Sequence, residues 1–124
     1  SRGLGDVYKR QMPHSVRNSF SLSRYNNPEP YIDMLRLNCF IQVSSEHRQE
    51  VLEAAKRLTE ASLKQTGCIA YDIFESATRP DVLMICETWL DQNALDAHSA
   101  SAEFVTEVGK MRSLAQMKLE TFSF

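Results

Sequence analysis

His98 is of the one side-chain type whose ordinary pKa lies near 7, which suits a general base. It falls at a helix end, close to the strand end that carries Trp89, the only tryptophan of the chain. The plain alternative is a structural histidine bonded to backbone across a helix break. Asn38 stands in mid-strand, where asparagine is disfavoured, and a polar group pointing off the helix-packed face reaches a cavity between two sheets. The alternative for Asn38 is a cross-strand hydrogen bond. Trp89 offers a pocket wall or, as readily, fills a core. Tyr71 and Phe74 lie on opposite faces of one strand, so one of them lines a pocket. Arg36 shares its strand face with Asn38 and is a candidate to hold a charged ligand group. Glu87 reads as an ion-pair partner or a cap, and Phe104, at helical spacing, as core.

These residues need elements to position them. Leu35, Leu37, Cys39, Ile41 and Val43 alternate with Arg36, Asn38, Phe40, Gln42 and Ser44, the pattern of a strand with one apolar face. From Ser45 to Gln65, Val51, Ala55, Leu58 and Ser62 recur at helical spacing; Ser44 or Ser45 can cap the start, and Gly67 follows the end. Residues 69–76 and 82–89 are rich in β-branched and aromatic types, and the link Ala77-Thr78-Arg79-Pro80-Asp81 makes them a hairpin. Asp91 caps a short helix running to His98. Ser99 or Ser101 caps a second helical piece carrying Phe104, Val108 and Met111, and a last strand spans 116–122. The order β-α-β-β-α-β is the ferredoxin-like α+β motif: a four-stranded antiparallel sheet with its helices on one face.

The chain of 124 residues allows one domain, and a net charge of −2 gives no basic field for nucleic acid or anionic lipid. No apolar run approaches the roughly 20 residues that cross a bilayer. Cys39, Cys68 and Cys86 contain no C-x-x-C pair, so no zinc or redox motif is expected. Reduced, buried thiols suit the cytoplasm. Residues 1–33 hold three of the four prolines and no periodic apolar pattern, and read as a disordered or non-native extension before a domain at 34–124. Met12 and Met34 are both possible native starts, Met34 sitting directly before the first strand. His14 and His47, in the extension and at a helix start, read as solvent-exposed.

Two helices cover only one face of such a sheet, so the other should be polar. Here Phe40 stands on that face, and the strands from Val82 and Gln116 are apolar on both parities. Exposing that patch on a monomer is unusual, and a domain this short lacks core. Sheet-to-sheet pairing with a second copy is therefore expected.

Residues 87–104 follow the pattern E-x-W-x4-A-x3-H-x2-S-x2-F, and Gly67-Cys68-Ile69-Ala70-Tyr71 precedes them. Together they resemble the antibiotic-biosynthesis-monooxygenase domain family of dimeric α+β barrels, over roughly Leu35 to Phe122. The Trp89-to-His98 interval is more similar to quinol-monooxygenase-type members than to haem-degrading ones. The resemblance implies a homodimer that oxidises a small quinol, phenol or polyketide-like aromatic with O₂ and no cofactor. His98 and Asn38 are then the catalytic candidates, with Trp89, Tyr71, Phe74 and Arg36 around the substrate. Without metal or flavin, the substrate itself must give an electron to O₂. Deprotonating a phenol raises its electron density, so the site needs a near-neutral base, a donor for the oxyanion and a dry apolar pocket. Two other readings fit the same fold: an isomerase of a small sugar phosphate, favoured by a basic residue such as Arg36 in the cavity, and a non-catalytic dimeric binding or stress protein, favoured by an interior filled with Phe and Met.

Overall fold

Alternation in the first strand carries through to the tertiary structure. The computed structural model describes residues 34–124; the expectations for residues 1–33, His14 and Met12 lie outside them. β1 is Leu35–Val43, β2 Cys68–Glu75, β3 Val82–Trp89 and β4 Ala115–Ser123. They form one antiparallel sheet in the order β2-β3-β1-β4. Helices α1 (Arg48–Leu63), α2 (Gln92–Ser99) and α3 (Ala102–Leu114) complete the order βαββααβ. This is the expected ferredoxin-like α+β fold, its second helix delivered as two.

Ser101 makes that break. Its backbone is extended, its Oγ accepts from the Phe104 N–H at 3.2 Å, and its hydroxyl donates to the His98 carbonyl at 2.7 Å. One residue thus caps α3 and ties down the end of α2. Asp91 caps α2 as expected, accepting from the Ala94 N–H at 2.9 Å. The start of α1 differs from the sequence reading. Its N-cap is His47, which makes no side-chain cap bond. Ser44 instead closes a turn through its carbonyl, which accepts the His47 N–H at 3.1 Å.

The core lies between the helices and the sheet face bearing Leu37, Cys39 and Ile41 of β1. Ile41, Val51, Leu58, Leu83 and Met111 are at most 1% exposed there. On the opposite face, register sets Phe40 beside Met84 and Met84 beside Phe74, and Phe40 and Phe74 are 36% and 48% exposed. The three cysteines are free. Among the described residues no helix is long and apolar enough to cross a membrane.

Candidate functional site

The site begins at the end of β3. Two-residue periodicity turns Glu87 and Trp89 to the helix side and Thr88 to the other. Glu87 is buried, and the Trp89 indole N–H donates to its Oε1 at 2.8 Å. Next to them α2 ends, and its last turn brings down His98, which is 1% exposed. The imidazole is boxed by rings: Trp89 at 4.5 Å between centroids, Phe104 at 5.0 Å and Tyr71 at 5.5 Å, the last two edge-on.

The ring nitrogens of His98 have different roles. Nδ1 lies 2.8 Å from Oε1 of Gln65, and with that oxygen accepting, the ring N–H is assigned to Nδ1. Nε2 then carries a lone pair, is buried without a hydrogen-bond partner, and lies 3.8 Å from Oε1 of Glu87. Burial lowers the imidazole pKa to about 4, keeping it neutral near pH 7. Burial also pushes the Glu87 carboxyl up to about 7, although the Trp89 N–H and the Tyr71 hydroxyl favour its charged form. The result is a neutral acceptor beside a carboxyl poised to change charge at neutral pH.

Gln65 reaches His98 because of Gly67. Gly67 has φ 81°, left-handed backbone that glycine adopts without strain. Its carbonyl accepts the Leu90 N–H at 2.8 Å, and a Cβ there would stand 2.5 Å from the Ala94 Cβ. The loop after α1 therefore packs directly on α2.

These groups form one end of a cavity of ≈ 120 Å³ between helices and sheet. Its walls include Leu37, Leu58, Ile85, Leu95, Phe104 and Val108, with Tyr71, Glu87 and His98 as its polar groups. The exposed members Ser99, Arg112 and Leu119 mark its mouth. Its volume is on the scale of the ~150 Å³ apolar cavity that takes up benzene. The Cys39 thiol also lines it, raised to about 11 first by burial and then by the charge of Glu87, and so stays protonated and unreactive.

The structure divides the sequence candidates. His98 and Tyr71 line the cavity; Trp89, fully buried, backs it without lining it. Asn38, Arg36 and Phe74 are on the other face of the sheet, so Asn38 is not brought to His98. Asn38 pairs with Cys86 in register and is 2% exposed, its Oδ1 without a hydrogen-bond partner; an Arg36 Nη2–H donates to Cys86 Sγ at 3.1 Å. Glu87, read as a pairing or capping residue, stands at the centre of the site. Its placement two residues before Trp89 on an inward face was a usable signal. Gln65 and Arg112 carried none, lying in a loop and in the last turn of a helix.

The fold places the chain in the ferredoxin-like α+β class. It belongs to the antibiotic biosynthesis monooxygenase family, whose model matches residues 34–107. "Putative monooxygenase YcnE" of Bacillus subtilis is 31% identical over 87 residues, 70% of this chain and 92% of that protein. A Bacteroides thetaiotaomicron structure described as "Conserved Protein of Unknown Function" and "Possible Oxidoreductase" is 54% identical, covering 74% of this chain and 98% of that one, with TM-score 0.73. A Deinococcus radiodurans structure described as a "putative antibiotic biosynthesis monooxygenase", 19% identical with TM-score 0.68 and covering 71% of this chain and 89% of its own, shares the fold.

Proposed function

We propose that the chain is a cofactor-independent monooxygenase that oxidises a single-ring quinol or phenol with O₂. The observation that carries this reading is the lone pair of His98 Nε2, buried without a partner at the polar end of an apolar cavity of single-ring size. A hydroxyl on a ring seated there donates to Nε2. Burial alone holds the imidazole at about 4, so His98 takes the proton with Glu87 ionised beside it: the carboxylate, 3.8 Å from Nε2, favours the imidazolium that forms. The resulting anion gives an electron to O₂, and the two recombine at a ring carbon. For a hydroquinone the balance is one hydroquinone and one O₂ to one hydroxyquinone and one water. One oxygen atom replaces a ring hydrogen by forming a C–O bond; the other leaves as water. The quinol supplies all the electrons.

The walls favour this over a sugar-phosphate isomerase, because Leu37, Leu58, Ile85 and Leu95 offer a polyol nothing to hydrogen-bond. Arg36, the basic residue considered for that ligand, is on the other sheet face, and the cation that does line the cavity, Arg112, stands at its exposed mouth, leaving the walls between apolar. An open cavity beside His98 also weighs against a non-catalytic protein with a filled interior. We assign the face bearing Phe40, Met84 and Phe74, with Asn38 and Arg36, to contact with a second copy of the chain. The test is oxygen consumption by metal- and flavin-free protein with hydroquinones. Uptake above buffer that falls strongly in His98→Ala supports the reading, and none across a panel of quinols sinks it.

A further inference from the structure

The two ends of the cavity differ in charge. At the inner end stands Glu87. At the mouth, Arg112 is the one permanent cation among the lining residues. Arg112 sits in the last turn of α3, and among the described residues its guanidinium makes no ion pair. It is nonetheless turned toward the cavity, because it lines it beside Met117 and Leu119 and its charge is felt at the Cys39 thiol on the middle strand. From β3, which carries Glu87, to β4, which carries Leu119, the sheet steps across β1. That is two strand spacings, ~10 Å between backbones, which sets the width of the cavity floor between the two ends.

We propose that Arg112 is a specificity residue, and that the substrate is a phenol or hydroquinone bearing a carboxylate, bound with its hydroxyl at His98 and its carboxylate at Arg112. This rests on the quinol- or phenol-binding reading of the cavity and narrows it. The chemistry fixes the orientation. A carboxylate pushed inward loses its water and meets the charge of Glu87. At the exposed mouth it keeps part of its hydration and gains a planar, bidentate partner. The apolar ring then fills the walls between. A neutral quinol fits the same walls but lacks the feature that sets which end enters first.

The test is calorimetric binding of 4-hydroxybenzoate and its neutral isostere 4-hydroxybenzamide to the full chain at neutral pH. Wild-type protein should bind the acid about tenfold more tightly than the amide, the scale of one charge-assisted hydrogen-bonded contact. The preference should shrink with added salt, fall to near parity in Arg112→Gln, and survive in part in Arg112→Lys. Equal binding of acid and amide by wild type, or a preference that persists in Arg112→Gln, overturns the proposal. Its failure is separable from that of the oxygenase reading. Acid bound through Arg112 with no O₂ uptake on 2,5-dihydroxybenzoate leaves the subsite standing and removes the activity. Turnover of neutral hydroquinone without any acid preference does the reverse.

Discussion

Nε2 of His98 lies 3.8 Å from Oε1 of Glu87, with both side chains closed off from solvent and the far nitrogen of the same ring held by Gln65. The gap is too long for a hydrogen bond and short enough for a charge on one group to act on the other. Near pH 7 the imidazole is neutral and the carboxyl is at its own midpoint. A proton taken by Nε2 therefore creates a cation directly beside a group that can be an anion.

The dependence of rate on pH should follow from this. If ionised Glu87 stabilises the imidazolium, kcat/KM for a neutral quinol rises as pH increases through about 7. Glu87→Gln should lower the rate by roughly 10²-fold and abolish that limb. Trp89→Phe removes the N–H donated to Oε1, makes the carboxylate harder to form, and should move the limb to higher pH. The kcat/KM profile of the three proteins checks both.

Stability should show the same pair pulling in opposite directions. His98 has a folded pKa below its ordinary value of 6.5, so its contribution is full above that value and is lost as pH falls toward about 4. Glu87 is raised from 4.5 to about 7, so its contribution is full below 4.5 and is lost as pH rises toward 7. Each amounts to about 3 kcal/mol at most, and in wild type they largely cancel. Urea unfolding between pH 4 and 7 should show stability rising with pH in Glu87→Gln and falling with pH in His98→Asn.

Gln65 acts through His98 and is a positioning residue. Gln65→Leu should leave Nδ1 without its acceptor and cost about tenfold or more in kcat, with little change in KM. The ¹⁵N shifts of His98 should then show a mixture of tautomers where wild type has the Nδ1–H form. An unchanged tautomer would remove Gln65 from the account.

At Gly67 any side chain meets both positive φ and the Ala94 Cβ. Gly67→Ala should destabilise the domain by about 2 kcal/mol or more. Adding Ala94→Gly should recover the steric part alone. Denaturation midpoints of the single and double variants separate the two.

If the face of Phe40 and Phe74 pairs two copies, placing glutamate at both positions should yield monomers that keep their secondary structure. Sedimentation equilibrium reads this directly.

The fold was legible because its signals are periodic. Leu35 to Val43 alternates, Val51 to Ser62 recurs at helical spacing, and Asp91, Ser101 and Gly67 mark ends by their own chemistry. Ser44 misled because a serine that can cap a helix can equally begin a turn. The site was half legible. His98, Trp89 and Tyr71 were singled out by residue type and pattern, and they meet. Parity put Asn38 and Arg36 off the helix-packed face, and they stand there with Phe74; no periodicity revealed that His98 would line a cavity on the other side of the sheet. Glu87 was undervalued because its pairing role was read without the burial that shifts its pKa. Gln65 reaches His98 only through a loop geometry set by Gly67, which no periodicity reveals.

Oxygen uptake by metal- and flavin-free protein supplied with a single-ring hydroquinone, compared with its His98→Ala variant, tests the central claim most directly. Consumption of one O₂ per hydroxyquinone formed, reduced at least about 10²-fold in the variant, is the expected result. Uptake that matches buffer alone, or that is the same with and without His98, would contradict it.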